Sequence, residues 1–378
     1  MLVVDGNLVY ELDVECARKK SIDLSKIPAY EVKSTDIARP QEKPFVQEAV
    51  KQSSIRQESA GGITSAGSEH PAAEAPVASA EKSGAAEKAC AEKTGWNYTG
   101  KGICAAVLDT GVYPHGDFAG RILGFADMVR GRSGPYDDNG HGTHVTGILG
   151  GDGRLSKGRF KGIAPEVQLV CVKVLDEKGK GRLTYMLKGI QWVLQNQKRF
   201  HIRIVNISVG ALAKDERENR MLMDGVLQLW NAGMTVCIAA GNEGSLAITT
   251  PGISAAAITV GAMDDSEMWD ADGRKYENYS GRGPTSDCIC KPEIVAPGTG
   301  IISTNCMNKP GNKPYSVKSG TSMSVPFVSG AIACLLEKYP EMTNTQIKLR
   351  LRERAQDLGL PKNHQGWGAL DVETLLKQ

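Results

Sequence analysis

The sequence predicts an α/β protein built on a mostly parallel central sheet with helices on both faces. Three observations carry that expectation. Strand-like apolar runs recur along the chain, helical patterns separate them, and the runs are apolar at consecutive positions. A strand buried on both faces needs such a run, and parallel strands need a crossover between them. The runs fall at 103–108, 167–174, 203–209, 234–239, 257–262 and 294–295, and the helical patterns at 141–149, 183–197, 216–231, 325–336 and 343–355. In such sheets reactive residues collect in loops after the carboxyl ends of the strands.

Composition agrees. Among 378 residues, 43 glycines and a hydrophobic share of 41% suit one large globular domain with an appendage. A net charge of +2 gives no electrostatic basis for holding nucleic acid or an anionic membrane. The first eight residues lack the basic and apolar regions of a signal peptide, and no 18-residue apolar span appears. A cytoplasmic protein is therefore expected, with export by a non-classical route as the alternative. The nine cysteines, an odd number without a framework spacing, read as free thiols. Cys288, Cys290 and Cys306 lack the spacing and the fourth ligand of a metal site.

Three segments follow from these patterns. Residues 1–35 hold a β-like run at 2–12 and a charged turn or helix through Arg18-Lys19-Lys20. Residues 36–93 are dominated by Ala, Ser, Glu, Lys, Gly and Pro and read as a flexible linker; a cleavable pro-segment would share that composition. Residues 94–378 carry the globular pattern.

Three polar residues stand where a strand ends or a helix begins. Asp109 closes an apolar run and is followed by Thr110-Gly111. An aspartic protease would need a second such triplet, and the chain has none. His141 lies between Gly140 and Gly142 and is the natural general base near neutral pH. His144 would complete a zinc pair, yet the Glu of the metalloprotease arrangement is missing, so His144 is assigned to packing or hydrogen bonding. Ser322 precedes a buried helix expected to start just before Pro326, because proline is tolerated only in the first turn. Free N–H groups and the dipole at a helix start favour developing negative charge, although a serine there is also an ordinary N-cap.

The order Asp109, His141, Ser322 now becomes specific. Asp109-Thr110-Gly111, Asn139-Gly140-His141-Gly142-Thr143-His144-Val145 and Gly320-Thr321-Ser322-Met323-Ser324-Val325-Pro326 resemble the three signature blocks of the subtilisin-like (subtilase) serine peptidases, bacterial intracellular type. The resemblance covers about residues 96–370 and implies a three-layer α/β/α subtilisin-like fold. It also implies a serine endopeptidase acting on peptides or unfolded proteins through an acyl-enzyme, with no cofactor for the chemistry. Ser322 would attack, His141 would take its proton and Asp109 would stabilise the imidazolium.

Further segments extend the likeness. Ile238-Ala239-Ala240-Gly241-Asn242-Glu243-Gly244 resembles the block supplying the oxyanion-hole side chain, which makes Asn242 the match. Asn206-Ile207-Ser208-Val209-Gly210 resembles the edge on which substrate lies as an added strand. Ser208, Val209, Gly210, Ala240, Gly241 and Glu243 are thus the expected substrate-binding residues, with Glu243 favouring basic side chains. The family also implies a structural calcium, for which Asp117 matches a carboxylate position near the Asp152 loop, and a cis bond at Thr250-Pro251. Finally, Lys26-Ile27-Pro28-Ala29-Tyr30-Glu31 resembles the stretch with which intracellular subtilisins block their own cleft. Residues 1–35 are expected to cover the catalytic domain in cis and restrain it until the linker is cut.

Overall fold

The computed structural model describes residues 1–27, 96–210, 215–244, 247–269, 275–307 and 311–377, so the linker expected at 36–93 lies outside the described residues. The chain opens with an antiparallel hairpin of β1 (Leu2–Asp5) and β2 (Leu8–Glu11), followed by the short helix α1 (Val14–Lys19). The run expected at 2–12 is therefore two strands, turning where Gly6 adopts φ +60°.

Seven strands then form one parallel sheet: β3 (Cys104–Asp109), β4 (Ile122–Asp127), β5 (Gln168–Lys173), β6 (Ile202–Ile207), β7 (Thr235–Ala239), β8 (Ile258–Ala262) and β9 (Ile294–Ala296). Their order is β9-β8-β7-β6-β3-β5-β4. Helices α2 (His141–Gly150), α3 (Leu183–Phe200), α4 (Glu216–Asn231), α5 (Thr321–Lys338) and α6 (Asn344–Arg354) accompany them. All residues of β3 are buried, and alternate side chains serve two cores. Ala105 and Val107 pack into the core that holds Val145 of α2 and Val328 and Ile332 of α5; Cys104, Ala106 and Leu108 pack into the one holding Ile190 of α3 and Val226 of α4. The fold is thus the expected α/β/α sandwich. The strand order turns at β3, with β5 and β4 on one side and β6 to β9 on the other, and such a switch point is where open α/β sheets place their sites.

Several expectations are corrected. Helix α5 starts at Thr321, not just before Pro326, and the proline stands inside it. Strand β4 was not expected, because it is a half-buried edge strand interrupted by Gly124. A Cβ at Gly124 would sit 2.9 Å from the Phe200 ring, so no side chain fits there to extend an apolar run. The antiparallel pair β10 (Ile301–Thr304) and β11 (Tyr315–Lys318) also escaped notice. The cysteines are not all free: Cys16 and Cys288 form a disulfide across a separation of 272 residues. Cys104, Cys171, Cys237, Cys290, Cys306 and Cys334 are free thiols.

The disulfide belongs to a wider contact. Asp13 N donates to Cys288 O (2.7 Å) and Cys290 N to Glu11 O (2.7 Å), which ties the end of β2 to the residues just before β9. At the hairpin turn Asn7 O accepts from Trp230 Nε1 (3.0 Å) at the end of α4 and from Thr345 Oγ1 (2.7 Å) at the start of α6. Lys362 pairs with Glu11. Residues 288–290 and Trp230 precede the amino ends of β9 and β7. Residues 1–27 therefore pack on the domain that carries the sheet, at the end of the sheet away from the loops that follow β3, β6 and β7. The part of the cleft-blocking likeness from Pro28 onward, like the rest of 28–35, falls outside the described residues.

Candidate active site

Asp109 is the last residue of β3, 1% exposed, and accepts a 2.8 Å hydrogen bond from His141 Nδ1 at the start of α2. Two features bring that helix end so close. Gly142 lies against β3: a Cβ there would sit 2.2 Å from Gly111 O, so only glycine permits the approach. Its N–H donates to Thr110 Oγ1 (2.8 Å), beside the carboxyl end of β3. The second feature is Asp137, which the sequence reading passed over. Its Oδ1 accepts from Thr110 Oγ1 (2.9 Å), Asn139 N (3.0 Å) and Gly140 N (2.8 Å), and its Oδ2 from Thr143 N (2.9 Å) and Thr143 Oγ1 (2.7 Å). Burial pushes its pKa up, but the hydrogen bonds from Thr143, Gly140 and Asn139 outweigh burial and hold it below the usual carboxylate range. One buried carboxylate thus ties the end of β3 to the first turn of α2.

Lys173, at the end of β5 and opposite Asp109 in the ladder, was also missed. Fully buried, it donates to Thr110 O (2.7 Å) and to Asp138 Oδ1 (2.6 Å). A lysine closing an apolar run was the one available signal. His144 is buried as expected, with Nε2 3.1 Å from both Ile301 O and Ser316 O, and burial drives its pKa well down.

Ser322 occupies the second position of α5 and is half-buried. Its Oγ donates to Ser208 O (3.0 Å). The start of α5 is arranged around Asn242, exposed in the loop after β7. Asn242 Oδ1 accepts from both Thr321 N and Thr321 Oγ1 at 3.0 Å, which leaves its NH2 as the free end, 3.1 Å from the point a Cβ of Gly320 would occupy. Thr321 N is thus taken by Asn242, and Met323 N donates to Gly320 O (2.9 Å). Between them the N–H of Ser322 has no partner among the described residues.

The expected substrate-binding residues come together from two strand ends. Ser208, Val209 and Gly210 follow β6, and Ala240, Gly241 and Glu243 follow β7. Thr249, not foreseen, is wedged between the segments: a Cβ on Gly210 or Gly241 would sit 2.2 or 2.4 Å from its Oγ1. Ser208, Val209 and Ala240 are buried, while Glu243 is exposed. The Thr250-Pro251 bond beside Thr249 is cis, as the resemblance implied.

Asp117 does not fit a calcium. A hard cation needs six or more oxygen ligands, and here the carboxylate is surrounded by donors. Its Oδ1 accepts from Leu155 N (2.9 Å) and its Oδ2 from Tyr315 OH (2.7 Å), and the Arg121 guanidinium bonds its backbone oxygen. Asp152 is held by Arg154 instead (3.0 Å). Among the described residues no three His, Cys, Asp or Glu side chains gather as metal ligands.

Comparison with known proteins points the same way. The subtilase family model matches residues 100–368. Serine protease AprX of Bacillus subtilis (strain 168) is 42% identical over 274 residues, spanning 68% of this chain and 62% of that protein, so the chain spans less than two thirds of that relative's length. Subtilisin BL of Lederbergia lenta is 34% identical over 275 residues, which cover 73% of this chain and 91% of that protein. The crystal structure of a cold adapted subtilisin-like serine proteinase superposes with a TM-score of 0.56 at 28% identity over 71% of this chain and 88% of that one. A parallel sheet with Asp109 on His141 at its switch point, Ser322 leading the buried helix, and a family match across most of the domain lead to one conclusion: this chain belongs to the subtilase family.

Proposed function

We propose that the protein is a serine endopeptidase that cleaves peptide bonds through an acyl-enzyme, with Asp109, His141 and Ser322 as its triad and Asn242 as an oxyanion donor. The observation carrying this reading is the 2.8 Å contact of His141 Nδ1 with Asp109, because it commits one ring nitrogen and leaves Nε2 for proton transfer. The Ser322 hydroxyl turns from Ser208 O to His141, gives up its proton to Nε2 and attacks the substrate carbonyl carbon. The oxygen that becomes negative is met by the free Ser322 N–H and by Asn242 Nδ2, fixed dipoles that need no reorganisation. His141 passes its proton to the departing amine; it then takes one from water, whose oxygen displaces Ser322 from the acyl group, and returns it to the leaving Ser322 Oγ. Peptides and unfolded proteins are the substrates this site suits, and exposed Glu243 favours basic side chains near the cleft.

Labelling with a fluorophosphonate probe tests the reading. Wild-type protein is expected to be modified at Ser322, and Ser322→Ala to remain unmodified. An unlabelled wild type, or equal labelling of the variant, would point instead to a catalytically silent peptide-binding relative.

Because residues 1–27 bind the far end of the sheet, we propose that they clasp the domain rather than plug its cleft. A chain beginning near Lys93 is expected to melt at a lower temperature with unchanged activity per labelled serine. A rise in that specific activity would restore an inhibitory role.

A further inference from the structure

Pro326 is the sixth residue of α5, and a proline there has no N–H for the carbonyl four residues back, which is that of Ser322. Its ring also crowds that oxygen outward. A helix carbonyl orphaned in a partly buried site needs another donor. The donor is the Ser208 hydroxyl, whose Oγ lies 3.0 Å from Ser322 O.

The arrangement around that hydroxyl is directional. Ser208 is 2% exposed, and its Oγ accepts from Asn206 Nδ2 at 2.9 Å. Asn206 is oriented in turn by Ser329 Oγ, which donates to its Oδ1 at 2.9 Å. With one lone pair occupied by Asn206, the single proton of Ser208 is aimed at Ser322 O. A run of hydrogen bonds therefore leaves α5 at Ser329, crosses the end of β6, and returns to α5 at its second residue. The backbone of Ser208 completes the hold, because its carbonyl accepts from Ser322 Oγ at 3.0 Å.

We propose that Ser208 is a positioning residue for the nucleophile, its hydroxyl standing in for the N–H that Pro326 lacks. By fixing the peptide plane that follows Ser322, it fixes the directions in which the Ser322 Oγ and N–H leave the Cα. This role is separate from pocket lining, and it rests on the reading of Ser322 as the nucleophile.

The test is a double-variant cycle read by the rate of fluorophosphonate labelling and by kcat and KM for a small ester that does not span the extended cleft. Ser208→Ala is expected to slow labelling and kcat by about 10- to 100-fold with KM nearly unchanged, because the acceptor is left unpaired and the attack geometry loosens. Pro326→Ala returns an N–H to the helix. In that background Ser208→Ala is expected to cost less than about 3-fold, which a merely structural role for the hydroxyl would not produce. A full-rate Ser208→Ala protein, or an equal loss in both backgrounds, overturns the proposal. Should the Pro326→Ala proteins fail to melt cooperatively, Asn206→Ala decides: loss of the aiming donor is expected to lower kcat several-fold at unchanged KM, and a folded variant at full rate overturns the proposal. Wild-type protein that takes no label defeats the nucleophile itself, which is a different result.

Discussion

Above about pH 9 the protein is expected to lose its native structure within about two pH units, because the unfolded chain sheds protons that the folded one keeps. Burial pushes the thiols of Cys104, Cys237 and Cys334 up to about 12 and that of Cys290 up to about 11, and it raises Cys171 and Cys306 as well. In an unfolded chain a thiol titrates near about 8.5. A folded value above the unfolded one gives stability that is complete below the unfolded value and is lost as pH climbs toward the folded one. Each well-buried thiol then removes roughly 1.4 kcal/mol per pH unit, and the partly exposed Cys290 less. Two buried lysines work in the opposite direction. Burial lowers Lys291 to about 8 and lowers Lys348 too, so each adds stability as pH rises toward its unfolded value near about 10.4. Six thiols outweigh two amines, and an ordinary domain has only about 5–15 kcal/mol to lose. Melting temperatures measured from pH 7 to 11 check this. The slope should become shallower in Cys237→Ala, and a flat profile to pH 11 would rule the mechanism out.

Asp137→Ala is expected to lower stability by about 3–5 kcal/mol and kcat/KM by at least about 100-fold. The side chain is 2% exposed and accepts from three backbone amides and two hydroxyls. Removing it leaves those donors buried without an acceptor, at about 1–3 kcal/mol for each that finds no replacement. The chemistry suffers because Thr110 and the first turn of α2 lose their common anchor, and the His141–Asp109 distance depends on both. Since the folded pKa is held low, this stability is present at neutral pH and is lost as pH falls below the ordinary carboxylate range. Urea unfolding and ester hydrolysis give the two numbers, and a variant within about 1 kcal/mol of wild type would exclude the anchor role.

What was readable in the sequence has a physical pattern. Asp109, His141 and Ser322 could be found because each stands at the junction of an apolar run with glycines, where buried backbone meets reactive polarity. Strands β3 and β5 to β9 announced themselves because burial on both faces demands consecutive apolar residues. Asp137 was hidden by its neighbour: Asp137 and Asp138 are alike in sequence, and only the fold turns one toward α2 and the other toward Lys173. The start of α5 was misplaced because a lone proline rule ignores a donor from another segment, and Ser208, just after β6, is that donor. Asp117 illustrates the converse, since the motif position survived while Leu155, Tyr315 and Arg121 took up its oxygens.

The Cys16–Cys288 bond closes a loop that contains Asp109, His141, Asn242 and the whole of 36–93, but not Ser322. While the backbone is intact, such a long closure restricts the unfolded ensemble by roughly 5 kcal/mol in the chain-entropy view. A single cut anywhere in 36–93 would open that loop and change what the bond does. It would then be a tether between two polypeptides, holding the hairpin beside Trp230 and Thr345 at an effective concentration in the millimolar range or above. The nicked protein would behave as one body under oxidising conditions and as a separable two-piece complex once the bond is reduced.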